Sequence, residues 1–145
     1  MATYDPLAVE KAIVDRLAPL RDTGLTLHAL PEKPKEYGEL LKAAQVGVLT
    51  VVMPKIARAG SAGCNPRMQL VTQTVMVYGR CKGLRDEGGM MPVEVEIGEL
   101  LPGFIPPGCG PVRYGSGYKF LGRTDSDWEF EYGFEFQYMR RARSR

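Results

Sequence analysis

Trp128-Glu129-Phe130-Glu131-Tyr132-Gly133-Phe134-Glu135-Phe136-Gln137-Tyr138 carries an aromatic side chain at every even position and a polar residue or glycine at every odd one. Side chains alternate across a β-strand, so this segment predicts one strand with an aromatic face and an acidic face, about 36 Å long at roughly 3.3 Å per residue. A strand of that length implies a large sheet. Its aromatic face needs a cover of helices. Its acidic face, with Glu129, Glu131 and Glu135, must meet water, basic side chains or another subunit.

Working back along the chain, Val112 to Leu121 is expected to pair with this strand through the polar turn Arg123-Thr124-Asp125-Ser126-Asp127. Residues 90–104 fit two periods. Val93, Val95 and Ile97 alternate as in a strand, whereas Met90, Val93, Ile97, Leu100, Leu101 and Phe104 fall at helical spacing between Gly88-Gly89 and Pro102-Gly103. The longer pattern favours a helix. From Arg67 to Cys81 a second long strand alternates Met68, Leu70, Thr72, Thr74, Met76 and Tyr78 with the residues between them. Lys55 to Pro66 holds small residues and breakers without an apolar period, and reads as a long hairpin loop suited to contacts.

Nearer the start, Val46 to Met53 is almost continuously apolar, as in a central strand buried on both faces. Tyr37, Leu40, Leu41 and Ala44 mark a short helix, and Leu25 to Ala29 a short strand ended by Pro31 and Pro34. Asp5 is a good N-cap with Pro6 in the first helical position, and Val9, Ala12, Ile13, Leu17 and Leu20 form one apolar face, closed by Pro19 and Gly24. The expected fold is α+β: a twisted, mainly antiparallel sheet with helices packed on one face, in the order αβαββαββ. It forms a single domain over residues 1–145, with 140–145 as a basic C-terminal extension.

Composition agrees with a globular chain: 145 residues, 44% hydrophobic and 25% charged, enough to bury a core without staples. No apolar run approaches the roughly 20 residues of a membrane span. The start, Met1-Ala2-Thr3-Tyr4-Asp5, lacks the basic and apolar regions of a signal peptide, so folding in a cytosol is expected. The net charge of +2 is uneven. Of 19 basic groups, four are Arg140, Arg141, Arg143 and Arg145, leaving 15 against 17 acidic groups in residues 1–139. A basic arm of this kind suits nucleic acid or an acidic protein surface, or is a solvated end.

Motifs for chemistry are sparse. Cys64, Cys81 and Cys109 are widely spaced without a CxxC and read as buried free thiols. His28 stands in a strand segment without a neighbouring nucleophile or carboxylate pair, which suits a structural histidine better than a triad or a metal site. Gly60-Ser61-Ala62-Gly63 and Gly115-Ser116-Gly117 lack the lysine of a phosphate loop and the spacing of a hydrolase elbow. Glu94, Glu96 and Glu99 read as a solvated helix face. Single-strand nucleic-acid binding wants aromatics interleaved with cations, and here Glu129, Glu131 and Glu135 are interleaved instead. No catalytic residue, cofactor or metal ligand is assigned.

The N-terminal amphipathic helix, the long hairpin Val46–Cys81, the segment Leu100-Leu101-Pro102-Gly103-Phe104-Ile105-Pro106-Pro107-Gly108 and the closing hairpin with Trp128-Glu129-Phe130-Glu131-Tyr132 together resemble the tail terminator, or tail-completion, proteins of long-tailed bacteriophages. The likeness covers nearly the whole chain; the Arg140–Arg145 stretch departs from it. The resemblance implies a non-enzymatic virion protein at the tail–neck junction, assembled in the host cytoplasm and without a membrane partner. It would form a hexameric ring that caps the tail tube, ends its polymerisation, meets the neck or stopper protein, and lets genomic DNA pass through the lumen without specific binding. An acidic lumen would repel phosphate and let DNA slide. Candidate subunit or partner contacts are Arg58, Arg67, Glu129, Glu131, Glu135, Arg140 and Arg141. The alternatives are a nucleic-acid-binding accessory protein using the arginine tail and, third, a small enzyme on a helix-packed sheet.

Overall fold

A computed structural model describes residues 3–54, 56–62, 65–124 and 126–141, with the backbone alone at 57–62, 65 and 66. Gly63, Cys64, Asp125, Arg143 and Arg145 lie outside the described residues. The elements are α1 (Pro6–Arg16), a 3-10 turn (Ala18–Thr23), β1 (Thr26–Ala29), α2 (Pro34–Ala43), β2 (Gly47–Val52), β3 (Ile56–Ala62), β4 (Asn65–Cys81), α3 (Met90–Leu100), β5 (Arg113–Thr124) and β6 (Asp127–Arg141). The fold is α+β. Five strands form a mixed, mostly antiparallel open sheet in the order β1-β2-β4-β6-β5.

Local chemistry starts α1. The Asp5 carboxylate accepts from the Leu7 amide at 3.0 Å, and Pro6 occupies a first-turn position that needs no donor. The chain leaves the 3-10 turn through Gly24, whose φ of +91° suits glycine. The ambiguous segment after Gly89 is helical, as its longer apolar period predicts, and buries Met90, Val93 and Ile97.

β4 and β6 are the spine. They pair antiparallel from Met68↔Arg141 to Cys81↔Trp128. Phe130, Tyr132, Phe134, Phe136 and Tyr138 are buried in one core with Val71, Val75 and Val77 of β4, Leu49 and Val51 of β2, Val9 and Ile13 of α1, and Val93 and Ile97 of α3. Helices α1 and α3 therefore cover the aromatic face. One close approach holds this face together: the ring of Phe130 lies over Gly79, its cross-strand partner, and fills the space a side chain there would need.

Helix α2 sits on the reverse face. Leu49 and Val51 point into the aromatic core, so Thr50 between them points away, and Thr50 Oγ1 lies 3.5 Å from the Tyr37 hydroxyl of α2. The expected one-sided cover thus applies to α1 and α3 only. The cause is topological: β1 and β2 are parallel and need a crossover, which α2 supplies. This also explains the apolar run at 46–53. β2 has the aromatic core on one side and α2 on the other, and it is an interior strand between β1 and β4.

The stretch expected as a long loop is mostly strand. β3 pairs with the first half of β4, from Ile56↔Gln73 to Ala62↔Asn65, along the same edge of β4 that carries β2 further on. Alanine, glycine and serine carry no apolar period, and the ladder offered by β4 decides their conformation.

Candidate functional site

The acidic row of β6 is matched by cations on its neighbours. Glu129 Oε1 lies 3.2 Å from Arg80 Nε, in register across β4, and Glu129 Oε2 accepts from Thr124 Oγ1 at 2.9 Å. The Arg80 Nε–H has no aligned acceptor, so that contact is an ion pair and not a hydrogen bond. Arg80 also reaches Asp127 at 3.3 Å, as does Lys82. Glu135 accepts from Arg113 Nε at 2.9 Å, and Glu131 stands in register between Tyr78 and Lys119. These groups are half-buried to exposed, so each pair contributes little stability but neutralises the row. The face is charge-paired, not acidic. Beyond α2 it forms an open groove lined by Thr74, Met76, Tyr78, Ser116 and Glu135.

The arginines gather elsewhere. β6 continues through Arg141, so Arg140 and Arg141 belong to the sheet and not to an extension; they pair with Gln69 and Met68. Arg140 donates from Nη2 to the Tyr138 hydroxyl at 3.0 Å and lies over its ring. Arg67 is exposed in β4 at the same end of the sheet, and Arg58 is in β3 opposite Thr72, in a strand and not in a docking loop. The seven candidate residues thus fall into two places: a paired row in the middle of the sheet and an arginine-bearing end.

A surface that the periodicities did not reveal lies between α3 and β5. Met91 and Val95 are 50% and 53% exposed, and Tyr118 and Phe120 are 37% and 49% exposed. Met91, Pro92, Glu94, Val95, Arg85 and Tyr118 line one groove. Tyr114 of β5 ties to the same helix, its hydroxyl donating to the Gly98 carbonyl at 3.0 Å. The available signal was Met91 and Val95, which stand off the apolar face of a helix that carries no basic residue.

His28 has a partner at both ring nitrogens: Nδ1 is 2.7 Å from the Ala29 carbonyl and Nε2 is 3.3 Å from Thr50 Oγ1. Burial pushes the Cys81 thiol up to about 12, with Asp127 adding to it, and burial pushes Cys109 up to about 11, so neither is a ready nucleophile. Among the described residues no group of three or more His, Cys, Asp or Glu could hold a metal ion, and no helix is long and apolar enough to cross a membrane. No protein-family model matches the chain, and no curated protein matches it.

Proposed function

We propose that this chain is a structural subunit of the tail terminator kind, which caps a phage tail tube as a homo-oligomeric ring, ends its polymerisation and offers a surface to a head-side neck protein. The observation that carries the reading is the charge-paired reverse face of β4, β6 and β5, where Arg80 and Arg113 offset Glu129 and Glu135. A wall of that kind is polar yet presents no unbalanced cations to phosphate, so DNA passing a lumen lined by it would gain little by stopping. This replaces a repulsive acidic lumen with a nearly neutral one. No catalytic step is assigned to any side chain.

The deciding experiment removes the gene product from the phage that encodes it. Overlong or headless tails are expected. Tails of normal length joined to heads would refute the reading. The alternative, a nucleic-acid-binding accessory protein, rests on the exposed Arg140 and Arg141 at the end of β6. Steeply salt-dependent DNA binding that disappears on reversing both arginines would favour it over a terminator.

A further inference from the structure

Two unlike surfaces on this chain complement each other. The first is the α3–β5 groove, lined by the exposed Met91, Val95 and Tyr118. Single exposed apolar side chains are ordinary, but a contiguous apolar groove marks an interaction site. Its helix contributes Glu94, Glu96 and Glu99 and no cation, with Arg85 as the cation in the lining.

The second surface is the end of the sheet that projects beyond β5. β5 last pairs with β6 at Glu135, yet β6 runs on to Arg141 against β4. At this end Leu70 and Met139 form a cross-strand pair, 38% and 43% exposed, and the next two pairs bring Arg140 and Arg141. β3, residues 65–72 of β4 and residues 137–141 of β6 contain four arginines and no carboxylate.

We infer that the arginine-bearing end of one copy docks in the α3–β5 groove of a second copy, Leu70 and Met139 against Met91 and Val95, with Arg141 on the same strand face toward Glu94 and Glu99. Arg140, held over Tyr138 on the other face, adds to the positive charge of that end. Either surface meeting itself would set like charges together, so the contact is head to tail, and a head-to-tail contact closes into a ring or runs into a filament. Side-chain faces carry it in preference to a shared ladder. β5 is interrupted by bulges between Tyr114 and Gly117 and between Phe120 and Gly122, which blunt its outer edge for strand addition. The inference rests on the self-assembling reading above and names its interface.

The test uses two charge-reversed full-length variants, E94K/E99K and R140E/R141E, with native mass spectrometry and analytical ultracentrifugation over a wide concentration range. Wild type is expected to self-associate. Each variant alone should associate at least about tenfold more weakly. An equimolar mixture should recover association as alternating one-to-one species, because each reversed groove then meets a reversed end and each unreversed groove an unreversed end. Val95→Gln and Leu70→Gln, both at exposed positions, give a second pair that leaves the charges alone and should weaken association as well. A wild type that stays monomeric at the highest concentration reached, variants that associate like wild type, or a mixture that does not recover would overturn the interface. Tail length is scored separately: variants that lose and regain assembly without any effect on tails would overturn the tail function and leave the interface standing.

Discussion

Tyr4 lies flat on Tyr138, with ring centroids 3.6 Å apart and planes 12° from parallel. The segment before α1 is thereby fastened to the last strand, beside the Arg140 guanidinium that packs over the same Tyr138 ring. Burial pushes the Tyr4 hydroxyl up to about 12 from an ordinary 10.0; Tyr138 and Cys109 add to the shift and Arg140 opposes it.

That shift predicts alkaline behaviour. The folded state holds the Tyr4 proton more tightly than the unfolded chain does, so this contribution is complete below pH 10.0 and is lost as pH rises toward about 12. Tyr4→Phe cannot ionise. The difference in urea midpoint between wild type and Tyr4→Phe should therefore be constant at neutral pH and shrink in the variant's favour above pH 10.0. A difference that stays constant across that window would mean that the Tyr4 hydroxyl is solvated in solution.

Phe134→Ala should cost about 3–5 kcal/mol, because it removes a fully buried ring and leaves a cavity. The ring stacks on Tyr132 at 4.5 Å and forms the middle of the aromatic face. Equilibrium unfolding in denaturant measures the loss. A value under about 1 kcal/mol belongs to surface substitutions and would place this face in solvent.

Gly79→Ala should destabilise by about 1–3 kcal/mol, since the new methyl meets the Phe130 ring. Removing the ring relieves the clash. In a double-mutant cycle with Phe130→Ala, the Gly79→Ala penalty should shrink to well under half its single-variant value, and strictly additive penalties would show that ring and glycine do not touch.

Much of the fold was legible wherever one periodicity ran without interruption. The even-numbered aromatics from Trp128 to Tyr138 placed β6 and its buried face, and Asp5-Pro6 with Val9 and Ile13 placed α1. β3 was not legible, because Ala59, Gly60, Ser61 and Ala62 owe their strand conformation to β4, which lies beyond any local window. The side on which α2 packs was hidden for a similar reason. An apolar stripe through Tyr37 and Leu41 says that a helix packs, and only the parallel pairing of β1 with β2 says where. The carboxylates of β6 were read correctly as facing away from the aromatics. Their partners were not, since Arg113 meets Glu135 only through a register that the bulges of β5 shift. Arg140 and Arg141 read as a tail because a run of arginines resembles a solvated end, whereas Gln69 and Met68 supply the ladder that keeps them in the sheet.

The spine has a consequence for how the chain is made. Forty-five residues separate Cys81, where β4 ends, from Asp127, where its partner β6 begins. At roughly 5–20 residues per second, a ribosome needs on the order of several seconds to supply that partner. Through this interval β2 and β3 can zip onto one edge of β4, while the other edge and the valines destined for the aromatic core wait unpaired. Pairings between distant segments form slowly and leave sticky edges exposed meanwhile. The hazard for this protein therefore lies in biogenesis more than in the finished molecule, and a chaperone that shields β4 until β6 is made should raise its soluble yield.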